Sequence, residues 1–190
     1  MLRPLHSATS GTALARGAAA ATLLLAAASL FLVPEGRLGT AELLGWLLIL
    51  TGALELTLER RQGMAGAPAV ARWEGAVSAL AGLFLVLDPP GHFLALTEIM
   101  FLWLAVRGLI QLLAASRAPL LIAGILSAVA ACNLLLAALV AIDQPIEMLT
   151  VLLFGPTAEV RATLAVVVAA ALLVSAAGTF AIASLRQGSA

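Results

Sequence analysis

The chain has 190 residues, 63% of them hydrophobic and 11% charged, with ten basic residues balanced by ten acidic ones. A soluble domain of this length would carry about 25% charged residues and would break its apolar runs every few positions. The composition therefore excludes an ordinary soluble fold, and the balanced charge leaves no basic surface for nucleic acid.

Met1–Ala15 is a short polar tail with Arg3 and His6, and Arg16 opens an apolar run to Val33. A signal peptide would share the basic start and apolar centre. From Gly17 the run is about 17 residues, the lower limit of a span and longer than a signal core of about 7–15. We assign it to a first transmembrane helix. Pro34, Gly36 and Gly39 make a turn, and Ala41–Leu58 is the second span, ended by Glu59, Arg60 and Arg61. Arg60–Arg72 reads as a polar linker. The third span runs from Trp73, an aromatic suited to the interface, to Asp88-Pro89-Pro90-Gly91. It is short, and helical turns beginning near Val70, or bilayer thinning, would make up the difference.

The fourth span lies in Phe93–Ala115 and ends at Ser116-Arg117. Pro119–Ile142 is the fifth, its proline placed where a missing N–H costs nothing. Within the Asp143–Arg161 loop, Ile146–Phe154 has helical spacing but is too short to cross, so a helix lying at the surface is expected. Ala162–Leu185 is the sixth span, and Arg186 begins a short tail. The expected fold is all-α: a polytopic membrane protein of six transmembrane helices forming a single membrane domain. Seven arginines (3, 16, 60, 61, 72, 117 and 186) fall on one side, and only Arg37 and Arg161 on the other. The positive-inside rule then places both termini in the cytoplasm.

AELLGWLLILTGALEL (Ala41–Leu56) aligns without gaps on TEIMFLWLAVRGLIQL (Thr97–Leu112). Glu42 falls on Glu98, Thr51 on Arg107, Gly52 on Gly108 and Glu55 on Gln111. Ser29–Val33 likewise matches Gly82–Val86. In the third unit Gly178 is placed on Gly52 and Gly108, which puts Ala177 at the level of Arg107. The chain reads as three parallel-repeated helical hairpins, roughly 14–58, 73–115 and 119–185, about an axis along the membrane normal.

Arg107 lies at membrane depth, at a cost of roughly 2.5–3.5 kcal/mol on the gentlest scale, and needs compensation. Glu55 sits four residues away in repeat register, about 6 Å along the axis. An intramembrane ion pair between Arg107 and Glu55 is expected, either fixing helix packing or lining a path; Glu55 alone would also reach the inner surface. Glu42 and Glu98 near the outer helix ends are either protonatable groups sensing external acid or carboxylates at the positive ends of helix dipoles. His92 reads as an incidental loop histidine. Cys132 and Asn133 read as a buried thiol and one interhelical hydrogen bond. No HExxH or GxSxG motif, phosphate-binding loop or cysteine–histidine metal cluster is present, so neither catalysis nor a cofactor or metal is expected.

AGLFLVLDPP (Ala81–Pro90) with VRGLIQL (Val106–Leu112), LFLVPEG (Leu30–Gly36) with LTGALEL (Leu50–Leu56), and LLIAGILSAVAA (Leu120–Ala131) together resemble the HdeD family of bacterial acid-resistance membrane proteins. The resemblance implies repeated hairpins, a bacterial inner (plasma) membrane location and a link to acid or envelope stress, with no catalytic residues to carry over. The Asp143–Arg161 loop is longer than the family's usual outer turn. Two other readings stay open: a small transporter or channel with a path lined by Arg107 and Glu55, and a membrane scaffold or assembly subunit. The partner expected is the lipid bilayer; self-association into a homo-oligomer and any substrate stay open.

Overall fold

The structure is a computed structural model that describes residues 6–32, 40–62, 68–87, 96–142 and 160–188. These residues form six helices: α1 His6–Leu32, α2 Thr40–Gln62, α3 Pro68–Leu87, α4 Leu96–Ala115, α5 Leu120–Ile142 and α6 Val160–Gly188. Three segments, Leu96–Ala115, Leu120–Ile142 and Leu164–Leu185, are long and apolar enough to cross a membrane, and Arg16–Phe31 is a shorter apolar helix. Large apolar side chains such as Leu24, Phe31, Leu87, Leu113 and Leu120 point outward. Water would penalise such a surface, whereas lipid tails match it. The fold fits a helical membrane protein.

Several helix ends differ from the sequence expectation. α1 begins at His6 rather than near Arg16, and α6 begins at Val160 and continues through Arg186 to Gly188. Apolar runs mark membrane depth, while a helix continues until a stop signal ends it. α3 starts at Pro68, five residues before Trp73, with proline in the first turn, where no N–H is needed. At α5, Ala123 N donates to Pro119 O, so Pro119 caps the helix from just outside it. The surface helix expected at Ile146–Phe154, the outer turns and His92 lie outside the described residues.

The helices close into a ring in chain order. α2 packs most extensively on α3, α4 on α5 and α6 on α1, whereas α1–α2, α3–α4 and α5–α6 touch less. Each tight pair thus joins the second helix of one expected hairpin to the first helix of the next. The α2–α3 pair is the closest. A Cβ on Gly52 would stand 2.5 Å from Gly75 O, and one on Gly75 would stand 2.9 Å from Gly52 O. Gly45 and Gly82 meet in the same reciprocal way about two turns nearer the other end. Only glycine permits this backbone approach, which dispersion and Cα–H···O contacts then reward.

The core runs through Leu44 and Leu48 of α2, Met100 and Leu104 of α4, and Val168 and Leu172 of α6, closed by Ala26 and Leu85. In the third unit the expected register does not place equivalent side chains alike. Gly178 is buried against Val129 of α5, but Ala177 is exposed, unlike Thr51 and Arg107. Cys132 is also exposed, against the buried thiol expected; its neighbour Asn133 takes the inward position. Successive residues are about 100° apart on a helix, and here Asn133 takes the inward side of that step while Cys132 takes the outward one.

Candidate functional site

The inward face of α4 carries Met100, Trp103, Leu104, Arg107, Gly108 and Gln111 at three- and four-residue spacing. This is one stripe of a helix, and Arg107 falls in it as the core turns from apolar to polar. It lies eight residues before the end of α4, about 12 Å along the axis.

Arg107 and Glu55 meet in a bidentate pair. Nη2 donates to Glu55 Oε1 at 2.7 Å and Nη1 to Glu55 Oε2 at 3.1 Å. Nη1 also donates to Ser78 Oγ at 2.6 Å, and Nη2 to Ser175 Oγ at 3.1 Å. The four terminal guanidinium hydrogens are matched by four acceptors on α2, α3 and α6. Trp103, one turn earlier on α4, has its ring 5.5 Å from the guanidinium carbon, within cation–π range, and its Nε1 donates to Ser78 at 3.2 Å. The Arg107 side chain is only 1% exposed.

A second carboxylate stands in the same layer. Glu74 Oε2 is 3.9 Å from Nη2, so two carboxylates share one guanidinium. Gln111 lies beside Glu74, and Asn133 Nδ2 donates to Gln111 Oε1 at 2.8 Å. Among the described residues, Arg107 Nε and Asn133 Oδ1 are buried without a hydrogen-bond partner. Glu55 and Glu74 are 16% and 15% exposed, in the part of the bundle nearer where α2 finishes and α3 begins, while Arg107 is sealed.

Comparison with family models, curated proteins and solved structures finds no match for this chain. Its chemistry is therefore read from its own residues.

Glu42 and Glu98 do not join the cluster. Both are exposed in the first turns of α2 and α4, at the positive ends of the helix dipoles. Glu42 is 13 residues before Glu55, about 20 Å along α2. The burial that an acid-sensing carboxyl would exploit is missing at both. Glu74, Ser78, Ser175 and Trp103 are the members of the site that the sequence did not place there. Glu74 follows Arg72 and Trp73 at the very start of the expected third span, so nothing in the sequence marked a charge at depth there. Ser175 gave no signal beyond a lone hydroxyl among alanines and valines.

Such a site can hold four helices in register. The terminal guanidinium hydrogens are engaged by the protein, which leaves none for a bound anion.

Proposed function

We propose that the chain is a non-enzymatic, six-span bacterial inner-membrane protein of HdeD type, built from three parallel-repeated hairpins, that contributes to acid or envelope stress resistance. The observation that carries this reading is the enclosed Arg107 node: a 1%-exposed guanidinium bonded to α2, α3 and α6 serves packing. A transport path lined by Arg107 and Glu55 needs water at Arg107, and the scaffold reading needs an exposed Ile146–Phe154 face. The repeat is supported by the alternation of close and slighter contacts around the ring, which recurs every two helices, as three hairpins about one axis would give. The arginine bias supports cytoplasmic termini.

Survival after acid challenge tests the role. A strain lacking the gene should survive low external pH less well, and a plasmid copy should restore it; equal survival across challenges would remove the stress role. Orientation is tested in a Cys132→Ser background. An impermeant thiol reagent should label His92→Cys and not Gly66→Cys... an order that inverted topology would reverse, with Ala65→Cys serving as a second inner position.

A further inference from the structure

The clasp leaves charge uncancelled. Glu55 takes both terminal nitrogens of Arg107, whereas Glu74 stands 3.9 Å off with Gln111 beside it. With both carboxylates ionised the site carries one net negative charge; with one proton it is neutral. A net charge among apolar helices is costly, and a proton taken from water removes it. The charged groups facing Glu74 are Glu55 from α2 and Arg107 from α4. Arg72 of α3 lies two residues earlier on the exposed surface.

The amide chain points the same way. Asn133 Oδ1 is a buried acceptor without a donor. Mid-helix N–H groups are committed to the helix, so spare donors are scarce there, while helix carbonyls keep a second lone pair. A protonated Glu74 donates its O–H to Gln111 Oε1. Gln111 Nε2 then donates to Asn133 Oδ1, and Asn133 Nδ2 turns to the helix carbonyls. One proton reverses both amides and fills the orphaned acceptor.

We propose that Glu74 is a proton-binding site: the folded protein holds one proton there, taken from water at the α2–α3 end, and registers it through Gln111 at Asn133. One O–H bond forms on Glu74, the site charge rises from −1 to 0, and no other covalent bond changes. This assignment does not depend on the stress role.

Infrared difference spectroscopy of the full chain in detergent at pH 7 tests it. Exposed carboxyls, with ordinary values near 4, are ionised there. One carboxylic-acid C=O band should be present in the wild type, absent in Glu74→Gln, and shifted in Gln111→Leu, which removes the acceptor of the O–H. No wild-type band, a band kept in Glu74→Gln, or a band unmoved by Gln111→Leu would overturn the assignment. The wild type alone gives a second reading. A proton held by the folded chain and released by the unfolded one makes the unfolding midpoint fall as pH rises from 5 to 9. A midpoint that is flat or rises over that range defeats the proposal, as does stabilisation by sodium or potassium ions matching that by protons.

Discussion

α2 and α4 present the same faces at an offset of 56 residues and use them differently. Leu44 and Met100, Leu48 and Leu104, Thr51 and Arg107, and Gly52 and Gly108 are all buried; Trp46 and Leu102, and Leu50 and Val106, all face out. At the 51/107 level, Thr51 turns its hydroxyl back to Leu47 O of its own helix at 2.8 Å. Arg107 instead reaches three other helices. Small and apolar residues set how these helices pack. The long cation at one position then decides whether the helix is self-contained or ties its neighbours together.

Removing the Arg107 clasp should cost the bundle most. Arg107→Ala leaves Glu55 and Glu74 facing each other without a cation and frees Ser78 and Ser175. A loss of about 3–5 kcal/mol is expected, the range for breaking a buried pair from one side. The double variant Glu55→Ala with Glu74→Ala should fall in the same range, because it strands a guanidinium that does not deprotonate. Equilibrium unfolding in detergent measures both. A loss under about 1 kcal/mol, as for an exposed pair, would make the node incidental.

Glu55→Ala alone should cost less, about 1.5–3 kcal/mol, the worth of hydrogen bonds to a charged group. Seen as an isolated pair, Glu55 would be the only partner of Arg107 and its removal the graver change. Glu74 alters that order, since it already stands 3.9 Å from Nη2 and can close on it. A Glu55→Ala loss equal to that of the double variant would show that Glu74 does not take over.

The matched glycines of α2 and α4 also meet different neighbours. A Cβ at Gly52 meets backbone, Gly75 O at 2.5 Å and Ala79 N at 2.6 Å. At Gly108 it meets a flexible side chain first, Leu134 Cγ at 2.7 Å and Cδ2 at 2.9 Å, and backbone only at 3.2 Å, the Ala130 carbonyl. Gly52→Ala should cost about 1–3 kcal/mol through forced separation of α2 from α3. Gly108→Ala should be near neutral, because Leu134 can move and alanine gains about 1 kcal/mol of helix propensity. Equal losses at the two sites would mean that α5 is as rigid against α4 as α3 is against α2.

The sequence made part of this legible. Intramembrane charges are few and need partners, so Arg107 and Glu55 could be matched through the repeat register alone. Glu74 could not, because it stands one residue into the expected third span, whereas α3 begins at Pro68 and sets Glu74 more than a turn inside the helix. Ser175 was hidden by α6 itself, where a run of alanines, leucines and valines gives no polar pattern to point to it. Helix pairing was also beyond the sequence. Chain order suggests that hairpin partners pack together, but the reciprocal glycines of α2 and α3 let those two helices approach more closely than any loop requires.

The smallest expected effect lies at Thr51, the counterpart of Arg107. Its hydroxyl donates to Leu47 O, a carbonyl already used by the helix, and reaches no other helix in the described structure. Thr51→Val keeps the branched shape and removes the hydroxyl together with its only bond. Deleting both the polar group and its contact at once leaves no stranded donor, and Leu47 O keeps its helical N–H. The change should stay within about 1 kcal/mol, of either sign, since the lost bond of about 0.5–1.5 kcal/mol is offset by a better-buried methyl. A loss approaching that of Arg107→Ala would mean that Thr51 is tied into the node after all. The self-contained character of α2, and with it the contrast between the two helices, would then be wrong.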